Sequence, residues 1–202
     1  SKTNGVTRND QKWNNFSTNL NLRTVFDSAG QELTVDLDYI QYRSTSLQPL
    51  TSYYFDNGGQ LLSSDVLMGN LPQDITIYSG KADYTLPLKK GASFEAGIKS
   101  SYVKTDNDAN YDSLQNGQVV HDFNRSNHFV FEENINAAYV NYTKPFSKKW
   151  SGQFGLRLEN TNARGDQLTT NVKFDRKYTQ RFPTAYIQYT ANEKNQFVLN
   201  YG

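Results

Sequence analysis

The stretch from Glu133 to Thr161, ENINAAYVNYTKPFSKKWSGQFGLRLENT, constrains this chain more than any other. Side chains of a strand alternate between its two faces. On that period Gly152, Phe154, Leu156 and Leu158 share one side, and Ser151, Gln153, Gly155, Arg157 and Glu159 share the other. The segment between Lys144 and Lys149 holds a Pro and paired lysines, which predicts a turn. The stretch therefore reads as a hairpin of two long strands, with Phe146 and Trp150 at the strand ends. An apolar face, a charged face and rings at the ends describe a hairpin of a membrane β-barrel. A soluble sandwich alternates in the same way, so the reading depends on whether the rest of the chain repeats the pattern.

It does. A first strand is expected from Trp13 to Phe26, with Phe16, Leu20 and Leu22 opposite Asn19, Asn21 and Arg23. Asp27 to Gly30 is a short turn. The next strand sets Leu33, Val35, Leu37 and Tyr39 against Glu32, Thr34, Asp36 and Asp38. Two aspartates facing a packed core would cost several kcal/mol unless paired, whereas facing a wet lumen they cost almost nothing. Strands from about Ile75 to Leu88 and from Ala92 to about Lys104 flank the minimal turn Lys89-Lys90-Gly91. A last pair places Ala185, Ile187 and Tyr189, then Phe197, Leu199 and Tyr201, on common faces. In the strand from Phe129, Ala138, Val140 and Tyr142 compete with Ala137 and Tyr139 for the apolar face. Long polar segments at 44–73, 105–127 and 162–176 separate the hairpins and are expected to be loops. About eight strands result, with short and long connections in strict alternation, as in outer-membrane barrels with tight periplasmic turns and long extracellular loops.

Composition agrees. The chain is 36% hydrophobic yet 14% aromatic. A wall wet on one side needs an apolar residue only at every second position, and disordered chains are poor in aromatics. No apolar run is long enough for a transmembrane helix, and no signal-peptide core opens the chain. A net charge of +1 gives no reason to expect nucleic acid as a partner. The absence of Cys excludes thiolate zinc sites and cysteine nucleophiles.

Asn134-Ile135, Ala137-Ala138-Tyr139-Val140, Trp150, and the run Gly155-Leu156-Arg157-Leu158-Glu159-Asn160-Thr161 follow one another in order. Phe182-Pro183 and the closing Leu199-Asn200-Tyr201-Gly202 follow further on. Together they resemble the barrel of TonB-dependent outer-membrane receptors, with the match strongest to the Bacteroidetes-type outer-membrane β-barrel family, over 129–202. The resemblance implies a barrel of about twenty-two strands closed by an N-terminal plug domain, with TonB and the plug as partners. It implies uptake of a nutrient such as an iron chelate, a vitamin or a glycan. No plug or TonB-box segment is recognisable, so the chain is expected to be a section from the middle of such a barrel.

The charged set Asp36, Asp38, Lys81, Asp83, Glu95, Lys99, Arg157 and Glu159 is expected to face the lumen in cross-strand pairs. Tyr53, Tyr54, Phe55 and Tyr111 are candidate ligand-contacting loop aromatics. Asp106-Asn107-Asp108-Ala109-Asn110-Tyr111-Asp112 spaces oxygens as a calcium loop does. It has Tyr111 where that loop needs Gly and Gly117 where it needs Glu, so a plain solvated loop is expected. His121 and His128 are expected in loops, without metal partners. Phe26, Tyr84, Phe94, Trp150 and Phe154 are expected as an interfacial girdle. No catalytic motif, cofactor fingerprint or metal set occurs.

The fold expected is an all-β, antiparallel, up-and-down transmembrane barrel in the outer membrane, contacting lipid. Two alternatives stand beside the receptor reading. One is a complete eight-stranded outer-membrane barrel with a structural or adhesive role. The other is a soluble β-barrel or sandwich that binds lipid or carbohydrate, whose apolar faces would point inward.

Overall fold

The computed structural model describes residues 2–115 and 117–202. Alternation carried through long segments gives ten strands: β1 (Lys2–Thr7), β2 (Asp10–Val25), β3 (Glu32–Phe55), β4 (Leu61–Pro87), β5 (Ser93–Gln115), β6 (Gln118–His121), β7 (Asn127–Pro145), β8 (Trp150–Gln167), β9 (Val172–Asn192) and β10 (Asn195–Tyr201). All belong to one antiparallel sheet. β1 and β2 both pair with β3, one beyond the other, and β6 and β7 do the same along β5. The sheet is therefore eight strands wide, as expected. Among the described residues the β1–β2 edge and the β10 edge do not pair with each other.

The short turns lie at one end. Asp27 Oδ1 accepts from the N–H groups of Ala29 and Gln31 at 3.0 and 2.9 Å, and Gly30 takes φ +91°. At the next turn Lys90 and Gly91 both have positive φ, 61° and 73°. Phe146 N donates to Trp150 O in the turn between β7 and β8.

The three segments expected as long loops are mostly strand. β4 is 27 residues long and β3 is 24, against roughly 9–11 needed to cross a bilayer. The turn between them occupies only 56–60. The physical reason is a swap of faces. Up to Tyr39 and Tyr78 the apolar residues share one face. Beyond them Ile40, Tyr42, Ile75 and Ile77 take the opposite face, while Arg43 and Asp74 stand on the first. A pattern keyed to one apolar face ends there although the ladder continues.

The sheet is a single layer with almost no interior. Among the described residues only Ala92, Ala137, Ala163, Ser113, Thr161, Gly69, Gly97, Gly152 and Gly165 are buried, and no large side chain is fully enclosed. Phe154, Leu156 and Leu158 are 48%, 42% and 43% exposed, while Arg157 and Glu159, alternating with them, are less exposed, at 35% and 21% for their side chains. Apolar residues thus stand outward from the sheet and charged ones lie on its sheltered side. This is the inverse of the soluble alternative, and it corrects it.

The register settles the face of β7. Ala138, Val140 and Tyr142 lie opposite Leu158, Leu156 and Phe154, and Ala137 and Tyr139 lie opposite Glu159 and Arg157. The apolar belt also drifts across the sheet. On β3 it runs from Leu33 to Tyr39, centred on Asp36. The hydrogen-bonded row through Asp36 passes Lys81, Lys99 and Ala137 to reach Glu159. On β8 the belt runs from Trp150 to Leu158 and centres on Phe154, five residues nearer the turn.

Candidate functional site

The polar face of β3, β4, β5, β7 and β8 collects all eight charged residues assigned to it from the sequence: Asp36, Asp38, Lys81, Asp83, Glu95, Lys99, Arg157 and Glu159. Their partners differ from expectation. Lys81 pairs with Asp83 on its own strand. Arg157 pairs with Glu159 on its own strand through two hydrogen bonds, at 3.0 and 2.8 Å. Asp36 and Asp38 accept instead from Asn21 and Asn19 across β2. Cross-strand ion pairing on this face is found nearer the turns, where Arg23 meets Glu32 at 2.7 Å. Residues two apart on a strand share a face, so a long cation reaches its own strand's carboxylate as readily as a neighbour's.

Tyr139 donates its hydroxyl to Asp83 across Gly97. A Cβ at Gly97 would come within 2.5 Å of the Tyr139 ring, so glycine there is what lets the ring lie along the wall. Gly69 and Tyr111 form a second such pair, with a Cβ reaching 3.0 Å from the ring. The wall is continuous, charged and hydrogen-bonded, suited to line water and steer a polar solute.

Two aromatic rows edge the apolar face. Toward the turns, Trp150 and Tyr189 have ring centroids 4.6 Å apart, Tyr189 and Phe197 6.4 Å, and Phe26 and Tyr84 6.5 Å. On the far side Phe16, Tyr39, Tyr78 and Tyr102 follow one another at 6.1, 5.1 and 6.4 Å. Sequence reasoning named Phe26, Tyr84 and Trp150 of the first row but not Tyr189 or Phe197. It expected at the edge Phe154, which lies at the centre of the belt on β8, and it missed the second row. Its signal was present, since each tyrosine is the last residue of the alternating apolar set on its strand.

Other candidates move. The Asp106–Asp112 run is not a loop but part of β5. In an extended strand its alternate oxygens stand roughly 6.6 Å apart along one face and cannot converge on one ion. Asp106 instead binds His128 Nε2 at 2.8 Å, and Asp112 binds His121 Nδ1 at 2.9 Å. Both histidines lie in strands, β7 and β6, and not in loops. Tyr53, Tyr54 and Phe55 end β3, and Tyr111 lies within β5. Tyr53 and Tyr54 alternate faces, so the four do not form one surface.

A family model described as "Outer membrane protein beta-barrel family" matches residues 24–202. Among the curated proteins nothing matches. Among solved structures the fold is similar to the ferric yersiniabactin uptake receptor FyuA from Yersinia pestis, at 13% identity and TM-score 0.50, covering 90% of this chain and 36% of that one. It is similar to a chain of the FpvAI–pyocin S2 complex, at 9% identity and TM-score 0.50, covering 97% of this chain and 35% of that one. The ferric citrate transporter FecA also matches, at 11% identity and TM-score 0.46, covering 81% of this chain and 26% of that one. The chain thus spans about a quarter to a little over a third of the length of these structures. The outer-membrane β-barrel read in the sequence agrees with both family and fold. With its uncovered apolar belt, aromatic edges and polar wall, this chain belongs to the outer membrane protein β-barrel family and is a protein of the outer membrane.

Proposed function

We propose that this chain is a section of the wall of a TonB-dependent receptor of the Bacteroidetes type, which takes up a nutrient across the outer membrane. In this reading the apolar belt meets lipid and the polar face lines the lumen, against a plug domain of the same polypeptide that TonB displaces. An iron chelate, a vitamin or a glycan fits the class. The observation that carries the reading is the pairing of faces. Strands long enough to span the bilayer expose their apolar side and keep an ion-paired, hydrogen-bonded side sheltered, which a porous or plugged lumen requires and a lipid-filled interior forbids. The open edges of the sheet support a wall that continues into further strands, because an open edge in lipid leaves backbone groups unsatisfied.

The first test is the mass of the native polypeptide in outer-membrane extracts, probed with an antibody to this chain. A band several times larger than 23.1 kDa is expected. A detergent-extracted band near that mass would give a complete small barrel and end the transport reading. The second test is TonB-dependent nutrient uptake by cells with and without the gene. Equal uptake of iron chelates, vitamins and glycans would refute the role.

A further inference from the structure

Beyond the lipid belt the lumen-side face turns aromatic. Phe131, Gly165 and Phe174 occupy one hydrogen-bonded row across β7, β8 and β9. Gly165 carries no side chain, and the Phe174 ring lies flat over it, on the spot a Cβ would take. Phe174 reaches Phe131 and Phe129, with centroids 6.4 and 6.5 Å apart and the Phe129 ring tilted only 24° from it. Arg176, on the next same-face position of β9, holds its guanidinium 5.9 Å from the centre of the Phe174 ring. Among the described residues no carboxylate lies within ion-pair reach of Arg176; the nearby Asp166 sits on the opposite face and pairs with Lys173 at 2.8 Å. Glu133 shares the row of Arg176 but stands two strands away, roughly 9–10 Å.

Gly165 is seven residues past Leu158, the last belt residue of β8, or roughly 23 Å along the strand. The platform therefore stands outside the bilayer, on the side away from the short turns, where a ligand arrives first. Covering a bare glycine accounts for Phe174 alone. It accounts neither for Phe129 stacked beside it and Phe131 tilted by 37° against it nor for a cation left over the ring without an anion.

We infer that Phe129, Phe131, Phe174 and Arg176 form a binding platform for a small anionic ligand bearing an aromatic ring. The rings supply apolar faces for stacking, and Arg176 supplies the charge an anion needs, close enough to the rings for one molecule to engage both. The inference rests on the uptake reading for its physiological sense, and names the chemistry of what is captured.

The test uses the purified full-length receptor in detergent and saturation-transfer NMR. Naphthalene-1,5-disulfonate is the probe, with propane-1,3-disulfonate as its non-aromatic counterpart. The naphthalene probe is expected to bind, with affinity lowered about tenfold by Arg176→Gln and by Phe129→Ala, and to bind about tenfold more tightly than the propane probe. Phe174 is left intact because it covers Gly165, and heat-modifiable mobility on gels verifies that both variants are assembled. No saturation transfer, unchanged affinity in both variants, or equal affinity for the two disulfonates overturns the proposal. Binding is read on purified protein and uptake on cells, so a receptor that fails to transport refutes the uptake reading while leaving the platform to stand or fall by NMR.

Discussion

Leu156→Arg tests the assignment of faces most directly. Leu156 sits in the apolar belt of β8, two residues from the belt centre at Phe154 and opposite Val140 and Pro183. Two residues are roughly 7 Å along a strand, or about 5 Å along the membrane normal at a 45° tilt. The position is therefore close to the bilayer midplane, where a lipid-facing Arg costs about 2–4 kcal/mol. At about 1.4 kcal/mol per factor of ten, the folded-to-unfolded ratio falls by roughly 30- to 700-fold. The control is Gln153→Arg. It lies one residue from the same centre on the other face, opposite Thr143 and Tyr186, and is expected to change stability by no more than about 0.5 kcal/mol. The assay is urea unfolding of the full-length protein in lipid vesicles, followed by tryptophan fluorescence and gel mobility. Equal costs for the two variants, or a larger cost for Gln153→Arg, would refute the orientation of the wall.

Three further outcomes are expected. Gly97→Val places a branched side chain where the Tyr139 ring lies and should destabilise by about 1–3 kcal/mol; adding Tyr139→Ala should recover part of the loss, and additive costs in a double-mutant cycle would count against the contact. Gly91→Ala meets both a φ of +73° and the Pro145 ring at 3.3 Å, so unfolding should show a loss of about 1 kcal/mol, against none for Gly5→Ala at an open ordinary strand position. Asp106→Asn removes a half-exposed pair with His128 and should cost less than about 1 kcal/mol, an effect that vanishes at high salt; a large, salt-independent loss would mean a tighter structural role than the geometry gives it.

The hairpins were legible because each crossing strand keeps one apolar face. Leu33 to Tyr39 and Phe154 to Leu158 can be read without coordinates, and so can the turns at Gly30 and Gly91. That the eight charged residues share one face of the sheet could be read for the same reason, since parity decides it. Their partners were not legible. Lys81 has Asp36 opposite it in register yet pairs with Asp83, which also receives the Tyr139 hydroxyl. Such a choice depends on side-chain reach across a glycine, which spacing does not encode. The strands beyond the belt were hidden for a different reason. Ile40, Tyr42, Ile75 and Ile77 continue the alternation on the opposite parity, so apolar periodicity breaks while backbone pairing does not. The aromatic platform lies in that hidden zone, where Phe131 and Phe174 come together only once β8 places Gly165 between them.

The drift of the apolar belt fixes the girth of the wall. Because a bilayer is level, a belt that slips five residues over the four steps from β3 to β8 means that the strands lean by roughly 40°, taking 3.3 Å per residue and 4.8 Å per step. A strand leaning that far occupies about 6.3 Å of circumference, so eight cover an arc of about 50 Å. Rolled up alone, that arc would make a cylinder only about 16 Å across between backbones, which side chains fill. Continued to the twenty-two strands of the proposed receptor, the same lean gives a bore about 44 Å across, with space for a folded domain inside it.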